Sequence, residues 1–172
     1  TSSYAAFSPG RNWEQIRTTI ALNDVNVKIV GSHAGVSVGP DGATHQMLED
    51  IALMRSLPNM QVIIPCDSVQ AQKVTELLAK SAKPAYLRLA REATPVVTTA
   101  DTPFTFGKAE VYRQGTDVTI VATGTMVYQA LVAADKLSKD GIEAEVINAA
   151  VIKPLDNHTI IASARKTGAV VT

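Results

Sequence analysis

The chain has 172 residues, 46% of them hydrophobic, with 16 basic and 16 acidic side chains and a single cysteine. That length and apolar content suit one sizeable domain or two small ones around buried cores, and exclude a disordered segment. The charges balance without a Lys/Arg cluster or an aromatic-interleaved basic stripe, which excludes a nucleic-acid footprint; no apolar run is long enough to cross a bilayer, and one cysteine excludes an internal disulfide. Small metabolites or protein partners are the expected ligands. Cys66 reads as a small buried hydrophobe at a strand end. Thr1-Ser-Ser-Tyr4 has neither a basic nor an apolar leader segment, so a cytoplasmic protein is expected.

Tyr4 and Phe7 stand just ahead of Pro9-Gly10, and a helical pattern then runs from about Asn12 through Trp13, Ile16, Ile20 and Leu22 on one face. Aromatics in this position are either a staple on the following helix or one wall of a ligand pocket. Val27 to Val30 reads as a strand and Met47 to Leu57 as a helix, stopped by Pro58; Gln61 to Ile64 is the next strand, ended by Pro65. Asp67 with Gln70 three residues later is a capping-box arrangement before a helix, and Tyr86 to Ala90 closes the series as a strand. Helices alternating with strands over short connections indicate βαβ units on a parallel sheet.

From Arg91 to Thr105 periodicity is lost and Thr, Pro, Val and Ala dominate, which marks a linker. A second series follows. Lys108 to Arg113 and Asp117 to Ala122 read as strands, Met126 to Leu137 as a helix leaving at Gly141, Glu143 to Asn148 as a strand, Asp156 as the cap of another helix, and Ala169 onward as one more strand. The expected fold class is therefore α/β: two parallel-sheet units, residues 1–92 and 105–172, joined by a linker over 93–104. The lack of an initiator Met, and a final strand without its covering helix at Thr172, create the expectation that this is an excerpt of a longer protein.

Between the first strand and the next helix lies Gly31-Ser-His-Ala-Gly-Val-Ser-Val-Gly-Pro-Asp-Gly-Ala-Thr-His-Gln46. Four glycines and a proline make regular structure improbable there, while His33, Asp41 and His45 ride on a backbone free to approach a ligand beyond a strand's carboxyl end. The competing reading is a long surface loop with solvated histidines. No dinucleotide fingerprint, phosphate loop or Gly-x-Ser-x-Gly elbow occurs, which weakens nucleotide and hydrolase readings.

Gly39-Pro-Asp-Gly-Ala-Thr-His-Gln46, the continuation Met47-Leu-Glu-Asp-Ile-Ala-Leu-Met-Arg55 and then Leu57-Pro-Asn-Met-Gln-Val-Ile-Ile-Pro65 resemble the C-terminal half of transketolases, including those encoded as two subunits. The resemblance covers essentially the whole chain and implies a pyrimidine-binding domain over 1–92, its N-terminal part absent, and a truncated transketolase C-terminal domain over 105–172. It implies transfer of a two-carbon ketol unit from a ketose phosphate to an aldose phosphate, in the manner of the pentose phosphate pathway, with thiamine diphosphate and Mg²⁺ (or Ca²⁺) as cofactors. Tyr4 and Phe7 match aromatics that stack on the cofactor's aminopyrimidine, with Gly10 near the place of a third. His33 and Arg91 match residues at the sugar-phosphate end; Asp41 matches the carboxylate that accepts from the hydroxyl beside the substrate carbonyl, and His45 the imidazole near the reacting carbonyl oxygen. Those roles suit the residue types. Arg88 competes with Arg91, but its strand alternation favours a plain surface ion pair.

The family's cofactor-activating glutamate and its diphosphate- and metal-binding domain would lie before Thr1, so no metal ligand is expected here. The chain alone would then be inactive, completed by an N-terminal subunit or domain and by assembly into a dimer or other homo-oligomer. Two alternatives stay open: a deoxyxylulose-phosphate synthase or 2-oxoacid dehydrogenase β-part, and a non-catalytic partner or regulatory module that has lost the third aromatic.

Overall fold

The computed structural model describes residues 1–172 and divides into two compact units, Thr1–Ile64 with Gln72–Thr94, and Pro65–Ala71 with Pro95–Thr172. Both are α/β, as the alternation of elements in the sequence implies.

The first unit contains β1 (Ser2–Tyr4), α1 (Trp13–Gln15), β2 (Lys28–Ser32), α2 (Asp50–Ser56), β3 (Gln61–Ile63), most of α3 (Ser68–Lys80) and β4 (Ala85–Arg88). Its strands lie in the order β1, β2, β4, β3, all parallel. β1 is too short and polar to show as a strand in the sequence, yet Tyr4 comes into register with Ser32. Both residues therefore stand at the carboxyl end of the sheet, where open parallel sheets bind ligands. Beyond α1 the helix continues as a π-helix over Ile16–Ala21, with Leu22 N–H reaching back to the Arg17 carbonyl. The wider turn carries Leu22 off the buried face, to 70% exposure, while Ile16 and Ala21 stay buried. The expected single apolar face through Leu22 is thus corrected. Trp13 fixes the segment by donating its indole N–H to the Leu53 carbonyl at 2.9 Å.

Glycine is required at position 31: a Cβ there would stand 2.2 Å from the hydroxyl of the fully buried Tyr86. This close approach seats β2 against β4 just where the long loop departs.

The second unit contains β5 (Glu110–Arg113), β6 (Val118–Ala122), α4 (Met126–Lys139), β7 (Ala144–Asn148), β8 (Val151–Lys153), α5 (Asn157–Thr167) and β9 (Val170–Val171). Strands β5, β7, β6 and β9 form its sheet in that order. β6 runs parallel to β7 and β9, but β5 is antiparallel to β7, so the sheet is mixed rather than wholly parallel. The cause is the turn after β5, which crosses the start of β7: Thr116 and Asp117 N–H both donate to the Glu143 carbonyl, and a Cβ on Gly115 would meet Ala144 backbone at 2.2 Å. Val127, Ala130 and Ala134 of α4, spaced three and four apart, bury against Ala122, Ala144 and Val146.

Asp67 caps α3 as the sequence indicates, accepting from Gln70 N–H at 2.8 Å. The reciprocal arm differs: Gln70 Oε1 accepts from Cys66 N–H instead. Cys66 is buried, and burial first, then the Asp67 charge, pushes its thiol up to about 12, as an inert packed cysteine requires. Asp156 caps α5 through Thr159, and Gly168 in the left-handed region closes it. No helix is long and apolar enough to cross a membrane.

Candidate active site

Every residue singled out for chemistry in the sequence lies in the first unit. The loop after β2 is closed at its base by an antiparallel bridge between Gly35 and Met47, with Gly35 N–H donating to the Met47 carbonyl at 2.8 Å. Within it, Gly39–Asp41 forms a 3-10 turn, and Gly42, at φ 71°, redirects the chain so that His45 N–H returns to the Gly42 carbonyl. The loop is therefore held in shape by its own hydrogen bonds.

Its two histidines meet the N-terminal aromatics. His33 has φ 55°, a left-handed conformation uncommon for a residue with a Cβ, and its ring stacks on Tyr4 at 3.9 Å between centroids. Its Nδ1 contacts Ser32 Oγ at 3.1 Å. Tyr4 and Phe7 are nearly parallel, 6° apart, with centroids at 5.8 Å. His45 presents its ring at a steep angle to both, 6.0 Å from Tyr4 and 5.2 Å from Phe7. All four rings are half-buried. Thr44 Oγ lies 2.8 Å from His45 Nδ1 and 3.5 Å from the Asp41 carbonyl. Thr44 thus engages Nδ1 and leaves Nε2 as the ring nitrogen available to a ligand.

Arg91 joins the same loop by donating from Nη1 to the Val38 carbonyl. Asp41 is exposed and stands outside the ring contacts. Arg88 is paired, but not at the surface: its Nε donates at 2.8 Å to Asp50, which is completely buried. That overturns the expected surface ion pair, because strand alternation alone did not reveal a carboxylate beneath the sheet end. Arg11 was not singled out in the sequence either, although its position four residues after Phe7 is a helical spacing; its guanidinium lies over the Phe7 ring at 4.4 Å.

The geometry fits a heteroaromatic ligand ring with one restriction. A ring sandwiched between Tyr4 and Phe7 needs roughly 7 Å between their planes, two van der Waals contacts, so the pair offers an outer face rather than a slot. Arg11 is exposed, and a cation–π contact at such a site is worth only about 0.5–1 kcal/mol, so it is readily displaced by a stacking ring. No group of three or more His, Cys, Asp or Glu side chains in the structure could hold a metal ion.

Residues 1–97 match the family model of the transketolase pyrimidine binding domain, and residues 107–172 that of the transketolase C-terminal domain. The chain belongs to the transketolase family. A putative transketolase C-terminal section from Methanocaldococcus jannaschii is 45% identical over 161 residues, 92% of this chain and 51% of that protein. The 6-deoxy-6-sulfo-D-fructose transketolase subunit SqwH of a Clostridium species is 42% identical over 172 residues, 100% of this chain and 53% of the relative. A solved structure described as a split gene transketolase, inactive beta4 tetramer, superposes with a TM-score of 0.92 at 46% identity, covering 99% of this chain and 55% of that one. The chain thus spans about half the length of these two curated relatives.

Proposed function

We propose that this chain supplies the pyrimidine-facing and substrate-facing residues of a thiamine-diphosphate-dependent transketolase that moves a two-carbon ketol unit between sugar phosphates. The observation that carries the reading is the convergence of Tyr4, Phe7, His33 and His45 at the carboxyl ends of β1 and β2. When bound, the cofactor supplies the nucleophilic carbanion that takes up the two-carbon unit, and its diphosphate and Mg²⁺ are held by the part of the assembly outside this chain. Tyr4 and Phe7 offer the aromatic surface for its pyrimidine. His45, with Nδ1 engaged by Thr44, faces the substrate's carbonyl oxygen through Nε2 and donates to it as charge develops there, and the exposed Asp41 carboxylate accepts from the adjacent hydroxyl.

Arg91 and His33 take the anionic far end of the sugar. Arg91 reaches the loop through one nitrogen and keeps further donors for an anion. The name of one relative, a 6-deoxy-6-sulfo-D-fructose transketolase subunit, supports taking an anionic end, phosphate or sulfonate, as the recognised feature. The reading also assigns the chain a diphosphate-binding partner subunit or domain, and an oligomer in which the ring cluster is covered.

The test is ketol transfer by the complete assembly with phosphorylated and unphosphorylated donors. Arg91→Ala should raise KM for the phosphorylated donor by a factor corresponding to about 1.5–3 kcal/mol while leaving KM for the unphosphorylated one nearly unchanged. Equal increases for both would remove Arg91 from this role.

A further inference from the structure

Asp50 is a charged residue at 0% exposure, at the start of α2. Its Oδ2 accepts from the Tyr86 hydroxyl at 2.7 Å and from Arg88 Nε at 2.8 Å, while its Oδ1 is buried without a hydrogen-bond partner. As a stabilising device this is poor: a buried ion pair roughly breaks even against well-packed apolar residues, and an unsatisfied buried oxygen adds a cost. What such a trio supplies is fixed geometry. Its position says for what.

Arg88 is in register with Gly31, the residue before the loop begins to leave β2. Leu89 N–H donates to the Gly31 carbonyl, and Ala34 N–H to the Leu89 carbonyl, so the end of β4 grips the outgoing chain. Arg88 Nη2 lies 3.2 Å from where a Gly35 Cβ would stand, and the Tyr86 hydroxyl presses on Gly31 from below. On the return side, Asp50 follows three residues after Met47, the partner of Gly35 in the closing bridge. One buried carboxylate thus ties the segment entering the loop to the segment leaving it.

Resting on the transketolase reading above, we infer that Tyr86, Asp50 and Arg88 are positioning residues of the active-site loop: without touching substrate, they set where His45 and Asp41 stand. Displacement of a catalytic group by about an ångström from a remote change can cost on the order of 100-fold. Arg88→Lys keeps the charge but replaces a planar fork with a compact ammonium that cannot present Nε to Asp50 in the same way.

In the complete assembly, Arg88→Lys and Asp50→Asn should lower kcat by about 10- to 100-fold, with thiamine diphosphate affinity and donor KM within about twofold of wild type. Combined with His45→Ala, Arg88→Lys should have almost no further effect on kcat, because His45 is the positioned group on which kcat depends, whereas Asp41 acts chiefly on discrimination between donors. The ring resonances of His45 should also shift in Arg88→Lys, a readout independent of turnover. Unchanged kcat and unshifted His45 resonances in folded Arg88→Lys would overturn the inference, as would a fully additive effect with His45→Ala. Should Asp50→Asn not fold, Arg88→Lys and Tyr86→Phe decide, the latter with a smaller shift in the same direction. A wild-type assembly that lacks ketol transfer, yet shows shifted His45 resonances in Arg88→Lys, would remove the transketolase reading and leave the positioning role standing.

Discussion

In the complete assembly, His45→Ala should lower kcat by about 10²–10⁴-fold, the range typical for loss of a positioned acid or base, with little change in thiamine diphosphate affinity. The expectation follows from its surroundings. The imidazole is half-buried against the edges of Tyr4 and Phe7 and has Nδ1 engaged by Thr44, so its remaining nitrogen is presented in one orientation. Asp41 is different in kind. It is exposed at the end of a 3-10 turn and outside the ring cluster, so Asp41→Ala should leave the cofactor bound and chiefly reduce discrimination between donors of opposite configuration at the hydroxyl it accepts from. Steady-state kinetics with an epimeric donor pair separates the two effects. If both variants show the same defect in cofactor affinity alone, the loop is a cofactor scaffold and the substrate roles fall.

The largest effect on stability should come from Asp67→Ala. This buried carboxylate accepts from Gln70 N–H, Val97 N–H, Thr98 N–H and the Thr98 hydroxyl at 2.7–2.8 Å. Its removal strands several buried donors at once and should cost about 3–5 kcal/mol. Burial opposes the charge, but these four bonds outweigh it and hold the Asp67 carboxyl below the usual carboxylate range. Because the folded group titrates below its unfolded value of about 3.9, its contribution is complete above that value and is lost as pH falls towards the folded pKa. Thermal melts of wild type and Asp67→Ala should therefore differ most near neutral pH and converge on acidification. A constant difference down to pH 3 would mean that the carboxylate's charge is not what stabilises.

Most elements were legible in the sequence because they carry their own punctuation. Asp67 and Asp156 announce helix starts through side-chain oxygens that reach the first turn, and Pro58 and Pro65 announce stops. β1 and β8 were not legible, since three residues show no periodicity and depend on strands distant in sequence. The π-helix escaped for a related reason: Ile16 and Leu22 fit an α-helical stripe, and only the i to i−5 bonding of the folded chain turns Leu22 outward. In the site, His33, Asp41 and His45 stood out by type and by loop context, and Tyr4 and Phe7 by proximity to Pro9-Gly10. Asp50 did not stand out. In sequence it is one acid in the first turn of an amphipathic helix, and its partners Tyr86 and Arg88 come from β4, more than thirty residues away.

If the ring cluster of this chain forms the pyrimidine-facing wall of a thiamine diphosphate site, the affinity of the complete assembly for that cofactor depends on Tyr4 and Phe7. Stacking of a heteroaromatic base on an aromatic side chain is worth about 1–3 kcal/mol. Loss of both rings in Tyr4→Ala/Phe7→Ala should therefore weaken thiamine diphosphate binding, measured by titration in the presence of Mg²⁺, by at least about fivefold. An affinity equal to that of the wild-type assembly would place the pyrimidine elsewhere than on these rings.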